Sequence, residues 1–211
     1  AGKHVLCEKP ATVTSAELTE IMDAAKKYNR VFTVDQNRRT NRDFVLMKSQ
    51  VESGIIGRPY VIESRVEGSR GVPAGWRTQK EKGGGMMLDW GVHLIDQIMY
   101  MVPEKVTNVF CKMYSINYPD VDDNLRVTMT FESGLTAQIE VANNFISHPR
   151  WYVLGTEGTL QIDDWACGGK VVRCLERQDK WADEIQTIKA GPTKTMAPRT
   201  PDTVETIELS E

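Results

Sequence analysis

Apolar positions follow two rhythms along the opening of the chain. Val5-Leu6-Cys7 is a short unbroken apolar run ending at Glu8-Lys9-Pro10, the pattern of a strand buried on both faces in a parallel sheet. Thr14 and Glu17 then form a capping-box pair ahead of Leu18, Ile21, Met22 and Ala25, whose i, i+3, i+4, i+7 spacing predicts a helix packed on that sheet. Residues 31–34 predict a second strand, and Thr40 or Asn41 caps a second helix ending near Gly54. Strand, helix, strand in this order is the βαβ unit of a doubly wound sheet.

After Gly57-Arg58-Pro59 the pattern changes. Residues 60–67 predict a strand, residues 68–85 a long glycine-rich, charged loop, and residues 86–101 a helix. Leu125, Val127, Met129 and Phe131 alternate with polar residues, as do Leu135, Ala137, Ile139 and Val141, and Ser133-Gly134 between them makes a hairpin turn. Further strands are predicted near residues 152–154, 160–162 and 171–175, a proline-rich loop over 190–203, and a last strand at Val204–Leu209. The predicted fold is α+β: a large, mostly antiparallel sheet with helices on one face, preceded by a βαβ unit. Its other face carries Thr128, Thr130, Gln138 and Glu140, either solvated or met by a second copy of the chain.

Composition narrows the functions available. The 211 residues carry 26 Lys+Arg against 29 Asp+Glu, a net charge of −3, so there is no basic field to attract nucleic acid or an acidic membrane. No apolar run approaches the ~20 residues of a membrane helix, and a soluble protein is expected. Cys7, Cys111, Cys167 and Cys174 form no CxxC pair, which counts against a zinc ribbon or a disulfide framework and suits a reducing cytoplasm. The chain opens Ala1-Gly2-Lys3, without a methionine or a signal peptide, and is read as a fragment of a longer protein.

Candidate chemistry gathers in two places. On the predicted 86–101 helix, Leu88, Val92, Ile95 and Met99 make an apolar stripe, bordered by a row of Asp89, His93, Asp96 and Tyr100. Asp89 and His93 stand one turn apart, close enough for the carboxylate to orient an imidazole base, or simply to make a surface ion pair. Two such residues are too few for a metal site. Gly83-Gly84-Gly85 ahead of the helix lets a ligand or another backbone approach, and Gly91 inside it calls for a packing reason. The second place is Glu8-Lys9-Pro10. A lysine at the carboxyl end of a parallel strand stands where open α/β sheets bind ligands, and Pro10 aims it through the backbone, across a bond that is trans or cis. Arg38-Arg39 also follows a strand end, and Trp76-Arg77 offers either a pocket contact or a packing aromatic with a solvated cation.

Taken together, Gly2-Lys3-His4-Val5-Leu6-Cys7-Glu8-Lys9-Pro10, Asn37-Arg38-Arg39, Gly75-Trp76-Arg77 and the run from Gly83-Gly84-Gly85 through Asp89, Gly91 and His93 to Asp96 resemble the glucose-fructose oxidoreductase / inositol dehydrogenase / rhizopine-catabolism (Gfo/Idh/MocA) family. Gly155-Thr156-Glu157-Gly158-Thr159-Leu160 is similar to its C-terminal sheet. The resemblance implies an NAD(P)-dependent oxidoreductase acting on a sugar or cyclic polyol. Lys9, Asp89 and His93 would be catalytic, with His93 as acid/base and Asp89 orienting it or binding substrate. Glu8, Lys9, Trp76 and Arg77 would contact NAD or NADP; Arg38, Asp89 and His93 would bind substrate. It also implies a homodimer or homotetramer built on the sheet face. Residues 1–40 would be the end of a Rossmann domain and 41–211 a substrate-binding and oligomerisation domain, itself cut short. No GxGxxG loop follows a strand in this chain, so the coenzyme site is incomplete and the fragment is expected to be inactive. The rival reading is a non-catalytic sugar-binding or assembly module.

Overall fold

The computed structural model describes residues 2–175, 186–187, 195–196 and 203–210. Its first unit is a βαβ motif. Strands β1 (Val5–Glu8) and β2 (Phe32–Asp35) pair in parallel, with Val5 opposite Phe32, and helix α1 (Ser15–Lys27) connects them. The predicted capping box is present: the Thr14 side chain accepts from the Glu17 backbone, and the Glu17 carboxylate accepts from the Thr14 backbone. β1 was expected to be buried on both faces, but Val5 is 48% and Leu6 69% exposed. The reason is that its sheet, as described, has only two strands, so nothing covers the face away from α1 or the outer edges.

A turn of 3₁₀ helix at Asn37–Thr40 leads into α2 (Arg42–Glu52), whose N-cap is Asn41, without a side-chain capping bond. The main sheet is built from β3 (Pro59–Glu67), β4 (Val106–Tyr114), β5 (Asn124–Phe131), β6 (Thr136–Ala142), β7 (Trp151–Gly155), β8 (Gly158–Ile162), β9 (Gly169–Cys174) and, after the two-residue strands β10 (Gln186–Thr187) and β11 (Thr195–Met196), β12 (Val204–Leu209). Its order is β12-β9-β8-β7-β3-β6-β5-β4, and every pairing is antiparallel except β3 with β6. The predicted α+β architecture is therefore the one observed. β11 falls within the predicted 190–203 loop, most of which lies outside the described residues.

Alternation along each strand decides the two faces. Ile62, Val127, Met129, Ala137, Ile139, Trp151, Val153 and Leu160 point inward and are almost fully buried beneath α2, which contributes Phe44 and Met47, and α3 (Val92–Met101), which contributes Leu94 and Ile98. On the opposite face Glu140 is not free: Arg126 pairs with it at 2.7 Å and Arg65 stands 3.9 Å away, leaving it 7% exposed. β4, for which the sequence carries no clean alternation, is an edge strand with a register shift between Val106 and Asn108 and with Val109, Phe110 and Met113 all exposed.

The predicted helix over 86–101 is not uniform. Met87–Gly91 winds as a π-turn before α3 begins. A π-turn admits one extra residue and rotates everything before it relative to the residues after it. Within α3 itself the expected stripe is only partly the buried row, since Ile95 packs against the core only partly buried. Met99 is 43% exposed, whereas His93, Leu94, Gln97 and Ile98 are buried. Gly91 has its packing reason, since a Cβ there would lie 2.7 Å from the Met87 sulfur.

Candidate active site

The π-turn is anchored before it begins. The loop of residues 68–85 folds back so that Gly85 N–H donates to the Arg77 carbonyl at 2.9 Å and Gly84 N–H to the Gln79 carbonyl at 3.0 Å. A Cβ on Gly84 would meet the Arg77 carbonyl oxygen at 2.6 Å, so this glycine serves close approach of another backbone. Asp122 then holds the start of the turn. Its carbonyl accepts the Met86 N–H at 2.9 Å and its carboxylate the Met87 N–H at 2.7 Å. Burial pushes the Asp122 carboxyl above the usual carboxylate range, against the pull of those backbone donors. Asp122→Ala is expected to lower stability by about 1–2 kcal/mol through the unpaired Met87 amide, read as a lower denaturant midpoint at unchanged slope. Asp122→Asn keeps an acceptor and should lose less; equal losses would show that the hydrogen bond is not what matters.

The turn so anchored presents Asp89, 4% exposed, to two cations. Lys9 Nζ, at the carboxyl end of β1, donates to the Asp89 carboxylate at 2.6 Å and to its carbonyl at 2.5 Å. Arg77 Nε lies 2.8 Å from the other carboxylate oxygen, with its guanidinium over the Trp76 ring. Burial opposes ionisation of Asp89, but the bonds from Arg77 and Lys9 outweigh it and hold the carboxyl below its ordinary range. The Lys9-Pro10 bond is cis.

His93 lies one turn further on, 3% exposed. Its Nδ1 faces the side-chain oxygen of Gln36 at 3.1 Å. With the Gln36 oxygen in this orientation as acceptor, the tautomer that satisfies the bond carries its hydrogen on Nδ1 and leaves Nε2 its lone pair. The side chain bonded to the imidazole is Gln36, at the end of β2, while the Asp89 carboxylate is taken by Lys9 and Arg77. Burial first, and then the positive charges of Lys9 and Arg38, bring the His93 pKa down to about 4, partly offset by Asp89 and Asp96. At neutral pH the ring is an uncharged base.

Of the predicted site residues, Lys9, Arg77, Asp89 and His93 come together. Arg38 joins them through its charge, and its guanidinium lies 4.8 Å above the Trp90 ring, which meets His93 edge-on at 5.9 Å. Its buried Nε has no hydrogen-bond partner among the described residues. Trp76 lines a cleft of about 560 Å³ with Lys9, Thr12 and Lys82. Glu8 stands apart, exposed and without a side-chain bond to the described residues. Among the described residues no three His, Cys, Asp or Glu side chains gather to hold a metal ion.

Behind the site is a buried network the sequence did not announce. Arg150, 4% exposed, donates to Ser64 at 2.6 Å and to Gln97 at 3.3 Å and pairs with Asp43 at 3.1 Å. Gln97 in turn donates to the Arg38 carbonyl at 2.8 Å, tying α3 to the turn after β2. Arg39 clamps the same two elements from outside, with 2.8 and 2.6 Å bonds to Asp96.

The chain is similar to known proteins. Residues 44–161 match the family model described as GFO/IDH/MocA C-terminal domain, and residues 1–36 that of the oxidoreductase family with an NAD-binding Rossmann fold. A crystal structure of an NAD-binding protein from Listeria innocua superposes with a TM-score of 0.90 at 46% identity, over 99% of this chain and 60% of that one. D-glucoside 3-dehydrogenase of Escherichia coli is 39% identical over 105 residues, 48% of this chain and 30% of the relative. Myo-inositol 2-dehydrogenase of Thermotoga maritima is 28% identical over 171 residues, 78% of this chain and 50% of the relative. This chain therefore spans half or less of those two enzymes. With residues 44–161 and 1–36 matched by its two models, the chain belongs to the Gfo/Idh/MocA family of oxidoreductases.

Proposed function

We propose that the protein to which this chain belongs is an NAD(P)-dependent oxidoreductase that oxidises a hydroxyl of a sugar or cyclic polyol, or reduces the corresponding ketone. The observation that carries this is Lys9, at the carboxyl end of β1, paired to Asp89 one turn ahead of the buried His93. The D-glucoside and myo-inositol dehydrogenases among the relatives support the substrate class.

The residues present fit the nicotinamide end of a dinucleotide. Lys9 ends a parallel strand, where open sheets bind nucleotides, and the cleft it shares with Trp76 and Lys82 offers cations and an aromatic wall. Lys9, Trp76 and Arg77 would hold that end. When bound, the coenzyme supplies the two-electron acceptor. In the oxidative direction His93 Nε2 takes the hydroxyl proton. Lys9, fixed by Asp89, donates to the same oxygen as negative charge develops on it, and the Gln36 bond keeps the ring in the useful tautomer. Arg38, with its unpaired Nε, would bind a neighbouring oxygen of the substrate.

Residues 1–40 would then belong to the coenzyme domain and 41–211 to the substrate and oligomerisation domain. Copies would pair through the polar sheet face around Arg126 and Glu140, and the protein would work in the cytoplasm. The complete protein, screened with sugars and cyclic polyols against NAD and NADP, is expected to reduce one coenzyme with at least one of them. The isolated 211-residue chain should leave coenzyme fluorescence unquenched. Failure of the complete protein to bind either coenzyme would favour the rival reading as a non-catalytic sugar-binding module.

A further inference from the structure

Trp165 has no part in the chemistry above, yet it stands two ring contacts from the base. It lies in the turn between β8 and β9, which is closed by Asp163 N–H to the Gly168 carbonyl at 2.7 Å and joined to Arg150 through the Arg150 N–H to Asp163 carbonyl bond at 3.1 Å. Its indole packs on Trp90 at 5.8 Å, and Trp90 packs edge-on against His93 at 5.9 Å. The Arg150 guanidinium sits 4.5 Å from the Trp165 ring, and Asp43, Ser64 and Gln97 hold that arginine still. So a 46% exposed indole is seated on a buried cation held by Ser64, Gln97 and Asp43. An exposed residue of this size is ordinarily free to turn; this one is held from behind by Arg150 and from the side by Trp90.

Ring sugars and cyclitols have two kinds of surface: an apolar face of axial C–H groups and a rim of hydroxyls. An indole shelf beside polar groups meets both, covering the C–H face while the rim reaches the donors and acceptors. Here the rim would reach His93, Lys9 and Arg38. A linear polyol has the same hydroxyls but no fixed face to stack.

We propose that Trp165, with Trp90, is the shelf on which the carbon ring of the substrate lies, and that it selects pyranosides and cyclitols over linear polyols. The proposal rests on the sugar or polyol reading above and names the ring as what is recognised.

The test uses the complete protein, with methyl β-D-glucopyranoside, myo-inositol and the linear polyol glucitol as probes. For the ring compound that is turned over, Trp165→Ala should raise KM about tenfold with kcat little changed, the signature of lost stacking made equally in ground and transition states. Trp165→Phe should recover most of the loss and keep the preference for ring over linear polyol, which should collapse in the alanine variant. Saturation-transfer NMR should show the axial C–H protons of the ring probe in contact with the wild-type protein and no longer with the alanine variant. Trp165→Leu, which keeps apolar bulk, covers the case in which alanine does not fold and should behave like it. Unchanged KM and unchanged saturation transfer in these variants, with the wild type active on a ring probe, overturn the shelf and leave the oxidoreductase reading standing. A wild type that binds neither coenzyme and turns over no ring sugar or cyclitol in the full screen overturns both.

Discussion

His93→Ala, introduced into the complete protein, is expected to lower kcat at least ~100-fold, the loss that accompanies removal of a positioned acid/base. The ring is preset for that task by three features that each leave a mark. Burial and the charges of Lys9 and Arg38 keep it neutral down to a pKa of about 4. The Gln36 bond fixes its tautomer. Trp90 packs against its edge. The pH dependence has a definite sign. The unfolded chain binds a proton at His93 near 6.5 and the folded one only near 4, so this residue's contribution to stability is full above 6.5 and is lost as pH falls toward 4. Subtracting the pH–stability curve of His93→Ala from that of the wild type should expose this slope. The acid limb of kcat/KM set by His93 should likewise lie well below 6.5. Near-normal turnover by His93→Ala would falsify its assignment as the base.

What could be read from the chain beforehand was local. The capping box of Thr14 and Glu17 and the hairpin about Ser133-Gly134 depend on residues a few positions apart, and both formed as expected. The π-turn at Met87–Gly91 escaped because one added residue leaves no trace in apolar spacing. The apolar run of β1 suits a strand with neighbours on both sides, and the two strands of its sheet in this chain leave Leu6 uncovered. In the site, Lys9, Asp89 and His93 were legible through their motifs. Gln36 was visible only as one residue of a polar turn, and Trp165 and Arg150 lie in stretches without a motif. Their roles arise from β3, β7 and α3 packing side by side, contacts between parts of the chain far apart in sequence.

The charges of the site act as one group, and this gives the second large effect its form. Lys9→Ala should also lower kcat at least ~100-fold, and it should do more than remove a donor. Lys9 is one of the cations that depress the His93 pKa, after burial itself, so without it the imidazole must titrate at a higher pH than the wild type's value of about 4. Asp89 keeps Arg77 at 2.8 Å, so its carboxylate is not left without a counter-charge, and the π-turn retains its Asp122 anchor. The variant should therefore fold, which a thermal melt will check. Lys9→Arg is not expected to restore turnover, because a planar fork cannot place a single donor where the ammonium sat, 2.6 Å from Asp89 and directed by the end of β1. Two measurements separate proton handling from mere charge: kcat for both variants, and the His93 ring tracked through its titration by NMR. A lysine that only neutralised Asp89 would let Lys9→Arg work, with the His93 titration of that variant close to the wild type's because the charge is kept, although Lys9→Ala would still raise it. A lysine that shares the reacting oxygen with His93 loses activity in both variants, and in Lys9→Ala the imidazole pKa moves up toward 6.5.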